Sequence, residues 1–438
     1  MSAMGILSYG LTLCFVLVTF YFLRRTFEEK KPLVFDGYYH PEFKPVADVF
    51  RQNLLNGKER GGSFAVFHKG QCVFNMWGGY ADNEAVRPWD KSTLTMAFSA
   101  SKGVAAVIVA KMVDLGYLDY KRPVADYWPE FGQKDKGNIT VEMLLSHQAG
   151  LPLLDEYLHL RDIVDNPDKV ERVLAAQGTV WPAGTDFGYH GVTYGLYVDT
   201  LVRKADPKGR DIARFFREEI AGPFELDTFI NTPKSEYYRA ARLYTQPMWE
   251  MLLETLMSTR YFPILGHYIL FPDSLLVNVA KAVVEFTKDM SVFNNPDLRE
   301  VPLTSATVTS TAEGLGKLYG ILANGGTAEN KVLLNAELVK KLATPLSQGT
   351  DSVIKQENSM FGPGTVIMKN PKGQLMFGHS GHGGQVGMAD ATNKVGFMYI
   401  TNYISINGLG DDPRYLDLEN ALYKSLDNHE SNIGNQNI

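Results

Sequence analysis

Cysteine is scarce in this 438-residue sequence, which contains only Cys14 and Cys72. Because Cys14 lies in an apolar N-terminal segment, the rest of the chain has a single thiol, and a disulfide scaffold is excluded. An excess of positive charge is also absent, since 43 Lys and Arg against 49 Asp and Glu give a net charge of -6. A chain without a basic field is not expected to bind nucleic acid. The 45% hydrophobic and 21% charged residues are typical of a globular protein with a sizeable core.

Charge of either sign is missing from Met1 to Leu23, and Gly5–Leu23 is mostly apolar. A helix of that length comes close to the roughly 30 Å hydrocarbon core of a bilayer, so the segment is long enough to span it. A cleaved secretory signal is the alternative, but the basic start and the small-residue cleavage site of such a signal are missing. Arg24 and Arg25 follow directly, which favours a single-pass membrane protein whose C-terminal domain faces the cytosol. The organelle stays open.

The length of the remaining chain fits one large two-lobed unit. Internal repeats and low-complexity tracts are absent from the sequence. We predict a transmembrane anchor at residues 1–23, a linker at 24–39, one domain at 40–430 with a helical insertion at about 244–290, and a disordered tail at 431–438.

The two ends of this domain are predicted to share one sheet. A helical pattern at residues 46–54 is followed by two strands, 62–69 and 71–77, and the second strand is expected to end at Gly78 and Gly79. The far end has strand patterns at 364–368, 375–378, 385–388 and 396–401 and a helix near 416–426. These patterns indicate an α+β fold, with one antiparallel sheet formed from both chain ends, flanked by helices, and a mainly helical lobe inserted between them.

Ser99 and Lys102 are three positions apart at the start of a predicted helix. The residues that follow, Gly103–Ala110, are apolar on nearly every side, so this helix is expected to be buried. Positions i and i+3 share a helical face, which makes Ser99 and Lys102 neighbours in a dry setting. Desolvation would lower the pKa of Lys102 towards a value at which its amine takes a proton from serine. An N-cap serine beside a surface lysine is the alternative.

Tyr189 stands between a Pro/Gly turn at residues 181–184 and a predicted helix at about 192–203. Such a turn would present the phenol at a loop edge, next to the start of the helix. A lone tyrosine at this place is also compatible with simple core or interface packing. A catalytic role for Tyr189 therefore depends on whether other catalytic motifs accompany it in the sequence.

Glycine is dense in the late segment Phe377–Gly387. Glycines weaken a strand and are expected where a substrate backbone approaches closely. The segment lacks the last glycine of both the G-x-S-x-G elbow and the dinucleotide fingerprint, so neither site is predicted. His379 and His382 would suit a metal, but the sequence has no HExxH, no CxxC and no His/Asp cluster with zinc spacing. We therefore predict no metal site and no organic cofactor.

In this order, Ser-x-x-Lys, a tyrosine motif and His-Ser-Gly on a late strand resemble the serine β-lactamase and penicillin-binding-protein superfamily. The chain is most similar to its class C-like branch, with the family VIII carboxylesterases and the animal β-lactamase-domain proteins. The resemblance extends from about Gly37 to the C-terminus. Four further stretches carry it, namely Met76–Asp82, Pro123–Phe131, Leu144–Pro152 and Leu318–Gly326.

The resemblance implies a two-lobed fold with the active site between the sheet and the helical lobe. Ser99 would be the nucleophile, and Lys102 and Tyr189 would share the general-base and general-acid roles, with their division left open. The strand motif would be His379-Ser380-Gly381. The backbone N–H groups of Ser99 and His382 would form the oxyanion hole.

Two positions depart from the pattern of class C β-lactamases. The Tyr-x-Asn motif is replaced by Tyr189-His190-Gly191, which removes the amide that holds a β-lactam or peptide carbonyl. His379 stands where the family has a charged lysine, and a histidine is mostly neutral at pH 7. We expect a weaker grip on an anionic carboxylate, which favours neutral ester substrates.

The segment Pro247–Val284 is unusually rich in large apolar residues. Buried helices of the second lobe are one interpretation. The other is a flexible, Met-bearing lid or a membrane-dipping element that admits acyl chains. The interruptions at Pro263, Gly266 and Pro272 argue against a second spanning helix.

The leading hypothesis is a membrane-anchored serine hydrolase that cleaves carboxylic esters, including lipid-derived ones, through an acyl-serine intermediate. A peptidase or amidase for small or D-amino-acid peptides is the second hypothesis, and a catalytically weak scaffold or filament-forming membrane protein is the third. The expected partners are a small-molecule ester or peptide and a membrane, bound through the N-terminal helix. A homo-oligomer stays open.

Overall fold

Strands from both ends of the chain pair in one antiparallel ten-stranded sheet in this computed structural model. The structure describes residues 31–436 together with residues 12, 15, 16, 19, 20 and 23. The strands of the sheet are β1 (Phe35–Tyr39), β2 (Gly61–His68), β3 (Gln71–Asp82), β4 (Arg87–Pro88), β5 (Ser347–Gly349), β6 (Ser359–Phe361), β7 (Val366–Lys369), β8 (Leu375–Gly381), β9 (Gln385–Asp390) and β10 (Val395–Thr401). Their order is β1-β3-β2-β10-β9-β8-β7-β6-β5, with β4 paired to β3. Phe64 of β2 lies opposite Tyr399 of β10, which confirms the predicted sheet shared by the two ends.

The helices lie mainly between β4 and β5. They are α1 (Lys44–Leu55), α2 (Ser101–Asp114), α3 (Val141–Leu145), α4 (Asp162–Asp165), α5 (Pro167–Ala176), α6 (Thr193–Ala205), α7 (Ile212–Phe216), α8 (Met248–Met257), α9 (Tyr261–Leu270), α10 (Leu275–Asn278), α11 (Pro296–Arg299), α12 (Ala312–Ala323), α13 (Ala336–Leu342) and α14 (Pro413–Gln436). Short 3-10 helices occur at Pro41–Phe43, Phe98–Ala100, Val124–Asp126, Pro129–Gly132, Lys234–Arg239, Val279–Ala282, Val284–Thr287 and Met290–Asn294, and a π-helical turn at Arg217–Ala221. Short strand pairings join Thr95–Met96 and Thr228–Phe229 to Thr309–Ser310, Thr327–Ala328 to Lys331–Val332, and Tyr244–Thr245 to Tyr403–Ile404. The predicted inserted, mainly helical lobe is thus confirmed.

Alternate residues of the central strands enter two separate cores, as the period of two in a strand requires. Phe64 and Phe397 pack with α1 and α14 on one face of the sheet. Ala65 and Met398 pack on the opposite face, with α2 and α12. A Cβ on Gly396 would lie 2.2 Å from the backbone of α12, so this helix rests directly on β10. The layered arrangement confirms the predicted α+β fold, with one antiparallel sheet flanked by helices.

The glycine pair Gly78-Gly79 does not end β3, contrary to the sequence prediction. β3 continues to Asp82, and Gly78 stays paired with both Phe35 and Gly62. A Cβ on Gly78 would lie 2.6 Å from the Leu54 side chain, and Gly79 has φ +72°. These glycines are there because a helix and a neighbouring strand approach the sheet closely, and not because the strand stops.

Two predicted boundaries are corrected. The linker predicted at residues 24–39 ends earlier, because Phe35–Tyr39 forms β1 and pairs with β3. The tail predicted to be disordered at residues 431–438 is helical through Gln436, since α14 extends that far.

The predicted transmembrane anchor at residues 1–23 lies mostly outside the described residues. Within the part of the chain that the structure does describe, no single helix is both long and apolar enough to cross a bilayer. Tyr261–Leu270 and Leu275–Ala282 meet the requirements of length and composition as a pair, with a 92° bend between them.

Candidate active site

Ser99 lies in the single 3-10 turn Phe98–Ala100, directly before α2. Phe98 has φ +46°, a left-handed conformation that costs a residue with a side chain about 1–3 kcal/mol. The turn is held by hydrogen bonds from Ala97 N to Val308 O, at 2.8 Å, and from Ala100 N to Ala97 O, at 3.1 Å. Because the backbone is fixed in this strained turn, the half-buried Ser99 side chain lies on the wall of a cavity.

Lys102 is fully buried in the first turn of α2, on the same side as Ser99. Its Nζ donates to Gly191 O at 2.7 Å and to Ser305 O at 3.1 Å, and it lies 3.4 Å from Ser99 Oγ. None of these three partners is a carboxylate. Burial without a counter-ion lowers the pKa of Lys102 well below its usual range.

The contacts of Lys102 suit a neutral amine. The two carbonyl oxygens can only accept hydrogen bonds, so they take up both hydrogens of an uncharged –NH₂ group. Ser99 Oγ, at 3.4 Å, is then the neighbour left for the remaining lone pair. This arrangement allows the amine to accept the hydroxyl proton of the serine.

Tyr189 contacts the same serine from the helical lobe. Its hydroxyl is hydrogen-bonded to Ser99, and burial raises the pKa of Tyr189 above its ordinary value. The Nζ of Lys102 lies 4.8 Å from the centre of the Tyr189 ring, and Phe361 stacks on that ring with centroids 6.2 Å apart. Tyr189 therefore remains a phenol at neutral pH and is able to donate a proton.

Asp351 fixes the loop that carries Tyr189, and the sequence analysis did not identify it. Its buried carboxylate accepts hydrogen bonds from the backbone N–H groups of Tyr189 at 2.9 Å and of Val353 and Ile354 at 2.8 Å each. Burial, opposed by these N–H donors, raises the pKa of Asp351 to about 6. No local pattern marks this aspartate, since it lies 162 residues from Tyr189 in the sequence.

His190 is a structural histidine in the same loop. Its Nδ1 lies 2.7 Å from Gly188 O, and its Nε2 accepts a hydrogen bond from Leu151 N at 2.8 Å. Burial lowers the pKa of His190 to about 4, so the imidazole is neutral at pH 7. Both of its ring nitrogens are engaged by the two contacts above. His190 N in turn donates to Nδ1 of the buried His147, at 3.2 Å.

β8 brings the predicted strand motif against the Ser99 turn. A Cβ on Gly381 would lie 2.3 Å from Ala97 O and 3.1 Å from Ala100 N, so strand and turn meet backbone to backbone. Ser380 Oγ donates to Gly408 O at 3.3 Å. His382 follows the strand, with an exposed ring that packs edge-to-face on Phe98 at a centroid distance of 5.7 Å.

His379 points into the site as an uncharged side chain. Its Nδ1 lies 2.5 Å from Ser380 O, and among the described residues its buried Nε2 has no hydrogen-bond partner. Burial, with Lys102 nearby, lowers the pKa of His379 to about 3. The imidazole is therefore neutral at pH 7 and offers Nε2 as an acceptor.

A cavity of about 1110 Å³ borders Ser99, Tyr189, His379, Ser380 and His382. Ser99, Tyr189 and His379 line it from the sheet and the helical lobe, and Tyr261 and Leu276 line it from the apolar segment. The structure thus brings Ser99, Lys102, Tyr189 and the β8 residues together, as the sequence analysis expected of a hydrolase site.

The residues whose spacing would allow a shared metal ion lie away from this cavity. Within residues 31–436, one group has the spacing to share an ion, with the ligand atoms of His40, Glu42 and His429 within 4.8 Å of one another. This group lies where α14 meets the first helical turn of the domain. None of its members lines the cavity beside Ser99.

Comparison with known proteins gives one consistent group of relatives. A family model described as β-lactamase matches residues 46–421. The esterase/β-lactamase LipL of Mycobacterium tuberculosis is 30% identical over 377 residues, which covers 83% of this chain and 81% of that protein.

Solved structures agree with the sequence matches. A family VIII carboxylesterase superimposes with a TM-score of 0.78 at 30% identity, covering 90% of this chain and all of the other. A penicillin-binding-protein homologue from Caulobacter crescentus gives a TM-score of 0.75 at 32% identity, with the same coverage. A D-amino acid amidase from Ochrobactrum anthropi, at 17% identity and a TM-score of 0.61, shares the fold.

Proposed function

We infer that this chain, which belongs to the β-lactamase family and is a serine hydrolase, cleaves carboxylic esters through an acyl-Ser99 intermediate. One observation carries the choice of esters. The β8 residue beside the nucleophile is His379, and its neutral imidazole supplies no cation for a substrate carboxylate. We further propose that residues 1–23 anchor the enzyme in a membrane, which the charge-free apolar run supports.

In the first half-reaction, Ser99 Oγ attacks the ester carbonyl carbon while the Lys102 amine takes the hydroxyl proton. The carbonyl oxygen becomes an oxyanion, which the backbone N–H groups of Ser99 and His382 would stabilise. The bond to the alcohol oxygen then breaks, and Tyr189 donates a proton to the leaving alkoxide. The proton held by Lys102 restores the phenol.

In the second half-reaction, water attacks the acyl-Ser99 carbonyl. Lys102 takes a proton from the water, and the serine oxygen recovers a proton as the carboxylic acid leaves. The sum is one ester and one water converted to one acid and one alcohol. Lys102 is suited to the base role because burial lowers its pKa and favours the neutral amine, and Tyr189 is suited to the acid role because burial raises its pKa and keeps the phenol protonated.

The test compares wild type with Ser99→Ala, using the full chain in detergent and p-nitrophenyl acyl esters. We expect Ser99→Ala to lose at least about a thousandfold in kcat/KM, because the nucleophile is removed. Ser291→Ala, which changes an exposed serine outside the cavity, should retain wild-type turnover. Ester turnover by folded Ser99→Ala at the wild-type rate would refute the assignment of the nucleophile.

Ester specificity needs a separate comparison. The same acyl groups are offered as p-nitrophenyl esters and as p-nitroanilides, and neutral esters are compared with esters that bear a carboxylate. We expect the neutral esters to be cleaved fastest. Faster cleavage of the anilides would favour an amidase instead.

A further inference from the structure

We propose that α8, α9 and α10 form a docking surface for a lipid bilayer, through which membrane-held acyl esters of uncharged lipids reach Ser99. The substrate part of this proposal rests on the ester hydrolysis proposed above. The docking part rests on the exposure of these helices, on their polar inner contacts, and on the contact of Phe20 with α8.

The three helices are apolar and yet unburied. None of their residues is buried, although a helix with so many large apolar residues normally lies in a protein core. Five large apolar side chains of these helices are each more than half exposed, namely Met248, Met257, Phe262, Ile269 and Leu270, and Phe271, directly after α9, is too. Large apolar side chains exposed together on neighbouring helices are typical of an interaction site. The interpretation as buried helices of the second lobe is therefore wrong for α8, α9 and α10, although Ala282 and Val283 at the end of the segment are buried.

Polar side chains hold this surface onto the domain. A surface helix usually turns its apolar side chains to the core and its polar ones to solvent, and here the arrangement is reversed. Glu250 of α8 accepts a hydrogen bond from Tyr403 Oη at 2.5 Å, and Glu254 accepts one from Gln246 Nε2 at 2.9 Å. At the start of α9, Tyr261 Oη donates to Asp411 at 3.0 Å. The carboxylates of α8 thus bond inward while Met248 and Met257 are exposed, which suits a surface that meets lipid.

The docking surface is also one wall of the catalytic cavity. Tyr261 and Ile264 of α9 and Leu276 of α10 line the same cavity as Ser99. Phe262 and Ile269, also on α9, are exposed to the outside. α9 therefore separates the cavity from the surroundings by the thickness of one helix. An acyl chain that passes beside α9 from an adjacent bilayer enters the cavity without crossing bulk water.

The N-terminal apolar segment identifies the occupant as a bilayer. The ring of Phe20 packs edge-to-face on Trp249 of α8, with centroids 6.3 Å apart. Phe15 and Val16 of the same run are exposed as well. Phe20, which belongs to the charge-free apolar run, thus contacts the docking surface, and insertion of that run into a bilayer would bring α8 to the lipid.

The dimensions favour a shallow position in one leaflet. α9 has ten residues, which corresponds to about 15 Å of helix, or half of the hydrocarbon core. Pro263 lies in its first turn, where the missing N–H costs nothing, so α9 is continuous through Pro263 and Gly266 and ends before Pro272. Trp249 and Tyr268 are residue types enriched at the membrane–water interface.

The test uses the full chain in phosphatidylcholine vesicles and the double variant Ile269→Asp with Leu270→Asp. Neither residue lines the cavity. We expect turnover of a long-chain acyl ester dissolved in the vesicles to fall at least about tenfold, because a charge in the apolar leaflet is costly. Turnover of a short water-soluble p-nitrophenyl ester should stay within twofold of wild type. The matched control is Leu55→Asp with Val332→Asp, two exposed apolar residues on other elements, and it should change neither rate.

A second readout does not depend on activity. The fluorescence of Trp249 is obtained as the difference between wild type and Trp249→Phe. In vesicles with brominated acyl chains, this fluorescence should be quenched in the wild-type chain. The quenching should decrease in the double variant. Unchanged quenching together with unchanged turnover of the vesicle-borne ester would refute docking. A change from dimer to monomer in the double variant, with vesicle turnover intact, would assign the surface to a second copy of the chain and also refute docking. Absence of turnover on the soluble ester by wild type would instead refute the proposed esterase function.

Discussion

At the scale of single residues, the amine of Lys102 carries the sharpest prediction. Its pKa lies well below 10.5 because it is buried among carbonyl oxygens without a carboxylate. The protonated amine cannot accept the serine proton, so kcat/KM should rise with pH through this pKa and then level off. We expect that rise to be complete well below pH 10.5, and the pH profile of a neutral ester measures it.

Two variants assign that profile to the lysine. Lys102→Arg keeps a permanent charge and Lys102→Met removes the base, so both should lose about 10²–10⁴-fold in kcat/KM. His379 titrates at about pH 3, so His379→Gln should leave the position of the rise unchanged. A rise that moves in His379→Gln, or survives in Lys102→Met, would contradict the assignment.

The predictable part of the site consists of residues whose chemistry is local in sequence. Ser99 and Lys102 could be paired because i and i+3 share a helical face, and the structure confirms their contact. Asp351 and the Gly191 and Ser305 carbonyl groups were not predictable. A backbone oxygen has no sequence signature, and these groups reach the site through distant parts of the fold.

At the scale of secondary-structure elements, the contact between β8 and the Ser99 turn depends on Gly381. A Cβ there would lie 2.3 Å from Ala97 O, which is backbone and cannot move aside as a side chain would. We expect Gly381→Ala to displace the strand and lower kcat of the proposed esterase at least about tenfold, because a misplacement of 1 Å at an active site is costly. The measurement is kcat on a soluble ester, with circular dichroism to show that the fold is retained.

The matched control for that variant is Gly178→Ala. Gly178 has an ordinary φ, and a Cβ there would meet only the Lys134 side chain, at 3.8 Å. It should keep wild-type kcat. Equal activity of both alanine variants would show that the strand and the turn do not need this close approach.

Elements were predictable where their pattern had one physical cause. The repeating apolar positions of α1, the buried α2 and the late strands followed from periodicity and burial. The predicted end of β3 at Gly78 and Gly79 was wrong because a glycine ends a strand in some contexts and allows close packing in others. The apolar α8 and α9 left two interpretations open because composition does not specify which side a helix exposes.

At the scale of the whole molecule, the two chain ends are joined behind the active site. Arg414, at the start of α14, is buried and donates to Gly383 O and to Tyr403 O at 3.0 Å each. Its guanidinium also pairs with Asp412 at 2.6 Å and lies 3.5 Å from Glu59, before β2. The Gly383–Gly384 loop directly follows His382, so the end of the chain supports the proposed oxyanion hole.

Arg414→Ala should therefore affect stability and catalysis together. Removal of one partner from a buried charge network costs about 3–5 kcal/mol, because Asp412 and Glu59 stay buried without their cation. Arg414→Lys should recover only part of this, since an ammonium lacks the planar fork that reaches several acceptors. Urea unfolding measures the stability, and kcat on a soluble ester, at a temperature where both proteins are folded, should fall while KM changes little.

Arg172→Ala provides the comparison at the surface. Arg172 pairs with Glu156 at 3.1 Å, with both side chains largely exposed, and water screens such a pair. Neither its urea midpoint nor its kcat should change measurably. If Arg414→Ala lost stability but kept full kcat, the guanidinium would hold the sheet and α14 together without positioning the His382 loop. If Arg414 both stabilises the fold and positions the His382 loop, Arg414→Ala must lose unfolding free energy and kcat together.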